Sequence, residues 1–277
     1  MLRREGIRQA LHIFGLFNLA VAQPLLDILG KNATFFVANH LKTGDIILMV
    51  AGLCIAIPAL LTGLVIVCRL FGKMASDVVL LVLVGILVGL IFLPFAKRIP
   101  AMPGIAMIVL SVLAGVGIAV LYARAQHIRS FMNAISLAII IVPSVFLFAS
   151  PVSKLVFEST KSSLPKSSVS MKNPVPIVMV IFDEFSLVSL MDSTHNIDSI
   201  QYPHFAELAR QSYWFRNATT VAEQTQQAVP SILTGKRPQL NASALPTLTD
   251  YPNNLFTLLC GSYTMHVYES QTFLCPP

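Results

Sequence analysis

Along the first 150 residues the chain is a succession of long apolar runs separated by short polar breaks; beyond residue 175 the runs shorten and polar positions fill the gaps. Ile46–Val67, Val78–Phe95, Ile105–Tyr122 and Phe131–Phe148 each hold about 20 uncharged, mostly apolar residues, the length an α-helix needs to cross a bilayer core. Leu11–Leu29 is weaker, being interrupted by Asn18, Gln23, Pro24 and Asp27. It follows a basic start with Arg3, Arg4 and Arg8, a layout that also fits a signal peptide. No small-residue cleavage site follows clearly and more spans come next, so this run is predicted to be the first of five transmembrane helices. Pro58, Pro94 and Pro143 are tolerable where neighbouring helices satisfy the freed backbone groups. Gly85 and Gly89 form a G-x-x-x-G pair that permits close helix approach, although such pairs also arise by chance in apolar spans.

The charges sharpen this picture. The chain is 55% hydrophobic and only 12% charged, against roughly 25% for a soluble domain. Its net charge of +6 belongs to the apolar half, and the second half is nearly neutral. That distribution argues against nucleic-acid binding, which needs a clustered basic face. Arg3, Arg4, Arg8, Arg69, Lys73, Arg124 and Arg129 fall on one side of the five spans; Lys31, Lys42, Lys97 and Arg98 fall on the other. The richer side is cytoplasmic by the positive-inside rule. A multi-pass cell-membrane protein is therefore expected, with a cytoplasmic N-terminus and residues from 150 onward outside. Spans two to five carry no ionisable residue at mid-membrane, which disfavours a transporter.

Three regions follow from these patterns: a membrane domain over 1–149, a flexible Ser/Lys/Pro-rich linker over 150–175, and an extracytoplasmic domain over 176–277. In the last, Pro176–Phe182 (P-I-V-M-V-I-F) reads as a buried central strand of a parallel sheet, with Asp183 and Glu184 at its carboxyl end. Tyr202–Ser212 reads as a helix with Pro203 at its start and Phe205, Leu208 and Ala209 on one face. Tyr213–Val221 reads as extended. A helix is expected to begin at Thr225, kinked or delayed by Pro230 and closed by Gly235. Asn253–Leu259 reads as another helix and Tyr263–Val267 as another strand, and this alternation predicts a parallel α/β sheet. Cys260 and Cys275 are open to disulfide pairing or to remaining separate thiols. The N-x-[ST] triplets at Asn32, Asn217 and Asn241 are taken as chance.

Asp183 and Glu184 are hard oxygen donors suited to a divalent cation, although an acidic pair after a strand is more often a solvated turn. Thr225 at a helix N-terminus is either an N-cap or, beside a metal, an activated nucleophile. His195, His204 and His266 lack ligand spacing and read as structural or surface residues.

Taken in order, V-M-V-I-F-D-E (178–184), Y-P-H-F-A-E-L-A-R (202–210), Y-W-F-R-N-A-T-T (213–220), T-Q-Q-A-V-P-S-I-L-T-G-K-R-P (225–238) and N-L-F-T-L-L (254–259) resemble the N-terminal part of the sulfatase-like branch of the alkaline phosphatase superfamily. The resemblance implies an alkaline-phosphatase-like α/β domain and a divalent metal (Zn, Mn, Mg or Ca). It implies Asp183, with Glu184 adjacent, as metal ligand, and Thr225 as catalytic nucleophile and metal ligand. Formylglycine-dependent sulfatases place Cys or Ser, then a Pro–Arg pattern, where this chain has Thr225, Gln226 and Gln227. Threonine cannot become formylglycine, so the resemblance turns to phosphotransfer members such as lipoteichoic acid synthases and phosphoethanolamine transferases, which share five N-terminal spans. A phospholipid or cell-envelope glycopolymer is then the expected substrate. The family's further ligands, an Asp–His pair and additional His, belong after Pro277, so residues 176–277 are expected to hold a truncated portion of that domain. The alternative is an inactive membrane-anchored module that binds a surface polymer or partner, or a truncated remnant.

Overall fold

The computed structural model describes residues 2–100, 103–157, 171–238 and 244–276. The chain divides into two compact units, Met1–Lys161 and Ser162–Pro277.

The first unit is helical, and five of its helices are long and apolar enough to cross a membrane: α1 (Glu5–Lys31), α2 (Thr43–Phe71), α3 (Lys73–Ala96), α4 (Gly104–Arg124) and α5 (Gln126–Ala149). All five expected spans are present, including the weak first one. Apolar side chains face outward as well as inward; Leu60 is 73% and Ile105 79% exposed. Surfaces of that kind are stable in lipid and not in water. These features make the unit a multi-pass membrane region. Its core is Ile13, Leu16 and Phe17 of α1 packed with Val84 and Leu87 of α3, Tyr122 of α4 and Met132 of α5.

The imperfections of the first span have local solutions. α1 is wound as a π-helix over Asn18–Ala22, ending just before Gln23 and Pro24. α2 does the same over Gly52–Ala56, ahead of Pro58. Wider π turns commonly take up irregularities in a helical hydrogen-bond ladder. Asn18 is fully buried, and its side-chain amide donates to the Phe14 carbonyl at 2.9 Å and the Cys54 carbonyl at 3.0 Å, joining the two π segments. The polar residue that weakened the apolar run thus fastens α1 to α2. His12, also fully buried, is held similarly: its Nδ1 lies 2.8 Å from the Tyr122 hydroxyl and its Nε2 2.8 Å from Asn133 Oδ1.

The G-x-x-x-G pair is an interface. Gly85 and Gly89 of α3 meet Ser111 and Gly115 of α4, and a Cβ placed on Gly115 would lie 2.2 Å from the Gly85 carbonyl oxygen. Backbone touches backbone there, which only glycine permits.

Both described ends of the 150–175 segment make local contacts. Val152–Phe157 forms a short helix, α6, and Thr43 at the start of α2 donates its hydroxyl to the Leu155 carbonyl. At the other end, the Met171 N–H donates to Ser262 Oγ at 3.1 Å, and the Val175 carbonyl accepts from the Tyr263 hydroxyl at 2.9 Å. Residues 158–170, and Asn241 of the third N-x-[ST] triplet, lie outside the described residues.

In the second unit the expected α/β parallel sheet is overturned: among the described residues there is no β-strand or sheet. Two isolated bridges form, Met191 with Ile197 and Thr247 with Phe273. Residues 176–182 have no regular secondary structure and are exposed, Val178 at 88% and Phe182 at 60%, where a buried central strand was expected. Tyr213–Val221 and Tyr263–Val267 likewise join no ladder. Apolar, β-branched composition favours extension, but a strand exists only when a neighbour accepts and supplies its backbone hydrogen bonds. Here 176–182 and 263–269 flank an open pocket instead of pairing.

The helical expectations hold. α7 (Pro203–Gln211) has its proline in the first turn, α8 (Thr225–Thr234) ends at Gly235 with a left-handed φ of 67°, and α9 is Leu255–Leu259. α8 begins at Thr225 and contains Pro230 without stopping. Its Leu233 joins Tyr251 and Leu274 in a small core. Asn254 caps α9 by accepting from the Thr257 N–H, and its amide donates to the Tyr251 and Leu274 carbonyls, both at 2.9 Å.

Candidate functional site

The apolar segment 176–182 delivers Asp183 and Glu184 into a tight turn. Glu184 adopts a left-handed backbone, φ 56°, and its N–H donates to Asp183 Oδ1 at 3.1 Å. From the other direction, the extended Gln224 leads into α8, so Thr225 is the first helical residue. Its hydroxyl does not cap its own helix. It donates instead to Asp183 Oδ1 at 2.9 Å, across 42 positions of sequence. The simple N-cap reading of Thr225 therefore fails, and two of the three predicted site residues are brought together.

Thr225 is half-buried and Asp183 exposed, and both line a pocket of ≈ 500 Å³. Ile177 and Met179, Val229 and Leu233 of α8, and His266 and Glu269 also line it. The α8 dipole adds partial positive charge at the Thr225 end.

His266 is the residue that the sequence reading set aside and the structure brings to the pocket. Isolated His at no particular spacing carries no signal, because Thr225 and Asp183, which line the same pocket, are 41 and 83 positions away in the chain. His195 and His204 are not among the residues lining this pocket. Glu269 faces the pocket but is committed to structure: its carboxylate accepts from the Leu274 and Cys275 N–H groups and the Thr272 hydroxyl. Cys260 and Cys275 are free thiols, and the Cys260 thiol points to the Thr257 carbonyl.

The chemistry of the donor set bears on the implied metal. Asp183 and Thr225 present two hard oxygens 2.9 Å apart, a spacing suited to one shared cation. Among the described residues no three His, Cys, Asp or Glu side chains converge as a metal site. The pair thus supplies only part of a coordination sphere. Next to the pair, Phe182, Phe185, Tyr202 and Phe205 form a ring cluster with centroids 5.7–6.4 Å apart.

No family model, no curated protein and no solved structure matches this chain.

Proposed function

We propose that the chain is a membrane-bound enzyme acting on phosphoesters, as transferase or hydrolase, with Thr225 as nucleophile. The observation that carries this reading is the Thr225–Asp183 hydrogen bond at the mouth of α8, in a pocket that combines apolar walls with His266 and Glu269. In the reaction, Thr225 Oγ bonds to the phosphorus of a phosphodiester and its proton passes to Asp183 Oδ1. The bond from phosphorus to the leaving alkoxide breaks, and that oxygen takes a proton from solvent. The phosphothreonine is then attacked by an acceptor hydroxyl or water, whose proton goes to solvent, while Asp183 returns its proton to Thr225. The α8 N-terminal N–H groups stabilise the charge on the phosphoryl oxygens. A divalent metal held by Asp183 and Thr225, with Glu184 adjacent, would add charge neutralisation. The basic residues orient the chain with its N-terminus in the cytoplasm and the pocket outside, where a phospholipid or cell-envelope glycopolymer is available.

The test is turnover of a fluorescent phospholipid phosphodiester by the full chain in vesicles, together with phosphopeptide mapping. Thr225→Ala should abolish both turnover and phosphorylation of the α8 peptide, and Thr225→Ser should retain both. Unaltered turnover in Thr225→Ala removes Thr225 from the mechanism. A second reading, a membrane-anchored module that binds a surface polymer, is favoured by the aromatic cluster beside Asp183, since sugar rings stack on such faces. It predicts polymer binding that falls in Phe182→Ala, with no turnover in any variant.

A further inference from the structure

The closest helix pair in the membrane unit leaves a furrow on its lipid side. Where α3 meets α4 through Gly85 and Gly89, α3 has no side chain to fill the surface, and a groove of ≈ 640 Å³ runs along the pair. Its rims are apolar and outward-facing, Ile86 at 55% and Val116 at 55% exposure. On α4 the lining extends from Ile108 to Arg124, about 24 Å at the α-helical rise. One leaflet of hydrocarbon is about 15 Å deep, half of the bilayer core. An acyl chain therefore fits within the groove with room to spare.

One end of this apolar lining is cationic. Arg124 sits in the last turn of α4, lines the groove and makes no hydrogen bond or ion pair among the described residues. Lys73 begins α3 at the same end of the hairpin. Asp77, one turn before Leu81 of the groove lining on α3, forms no ion pair with Arg124 among the described residues. A guanidinium at the end of a chain-length hydrophobic furrow matches an acyl tail joined to a phosphate.

We propose that the α3–α4 groove is a binding site for one anionic phospholipid, its acyl chain lying over Gly85 and Gly89 and its phosphate held by Arg124. The site lies in the membrane unit and makes no use of Thr225.

The test is native mass spectrometry of the full chain, delipidated in neutral detergent and titrated with phosphatidylglycerol or phosphatidylcholine. The wild type should bind one phosphatidylglycerol per chain in preference to phosphatidylcholine. Arg124→Gln, a change at an exposed position, should weaken phosphatidylglycerol binding about tenfold, the loss expected for a charge-assisted contact. Ile86→Trp combined with Val116→Trp should block it by filling the furrow, with an unchanged circular dichroism spectrum. Arg98→Gln, outside the groove, should bind as the wild type does. Equal binding by Arg124→Gln, or an equal loss in Arg98→Gln, overturns the site. So does a lipid-free dimer that the double tryptophan variant dissociates, because the groove is then covered by a second copy.

Discussion

Gly115→Ala puts the helix-pair geometry under direct strain. The added methyl carbon would stand 2.2 Å from the Gly85 carbonyl oxygen, 3.1 Å from the Gly85 carbonyl carbon and 3.2 Å from the Gly89 nitrogen. All three are backbone atoms inside a helix, so no rotamer change relieves the clash. To bring 2.2 Å out to 3.0 Å, α3 and α4 must separate locally by roughly 0.8 Å. A gap of that size forfeits a quarter to a half of each dispersion contact along the seam. Overpacking of this kind costs about 1–3 kcal/mol. The same helix contains its own control: a Cβ on Gly117 meets nothing within 4 Å. Gly117→Ala gains helix propensity and should be neutral or stabilising by up to about 1 kcal/mol. Gly89→Ala, whose Cβ would lie 3.1 Å from the Ser111 carbonyl, should fall between the two. The assay is sodium dodecyl sulfate titration of the detergent-solubilised chain, followed by circular dichroism. The expected stability order is Gly117→Ala, then Gly89→Ala, then Gly115→Ala. If Gly115→Ala unfolds at the same denaturant fraction as Gly117→Ala, the close approach of α3 and α4 is refuted.

Two further predictions concern the second unit. Asn254→Ala removes the α9 cap and strands the buried Leu274 carbonyl, a loss of about 2 kcal/mol, so amides in 255–260 and 272–276 should exchange with deuterium roughly 30-fold faster; unchanged exchange would show that α9 does not depend on this cap. Burial, then the neighbouring Glu269 and Cys260 charges, push the Cys275 thiol above its ordinary value of 9.0. Since the thiolate is the reactive form, the alkylation rate of Cys275 should rise only at higher pH than that of a free cysteine, and at pH 8 it should lag. An inflection at or below that of a free thiol would contradict the described environment.

Much of the membrane unit was legible in the sequence because its determinants are additive along one helix. Each span needs only enough consecutive apolar residues, and Ile46–Val67 or Val78–Phe95 qualifies whatever its neighbours do. Helix ends in the second unit were legible at Pro203 and Gly235 for the same reason, since each acts within a turn of its own position, whereas the Asn254 cap emerged only from the structure. What the one-dimensional pattern could not decide was pairing. Asn18 reads as a flaw in an apolar run, and only the proximity of the Cys54 carbonyl makes it a fastening between α1 and α2. Gly85 and Gly89 carry no meaning until Gly115 stands opposite. Segment 176–182 has the composition of a central strand, yet a strand requires hydrogen-bonding neighbours, and the tertiary structure places a pocket there instead. The meeting of Thr225 with Asp183, and the arrival of His266 in the same pocket, are decided the same way. Local sequence sets which residues are helical, apolar or charged; contacts between residues far apart in the chain depend on packing and on where backbone hydrogen bonds find partners.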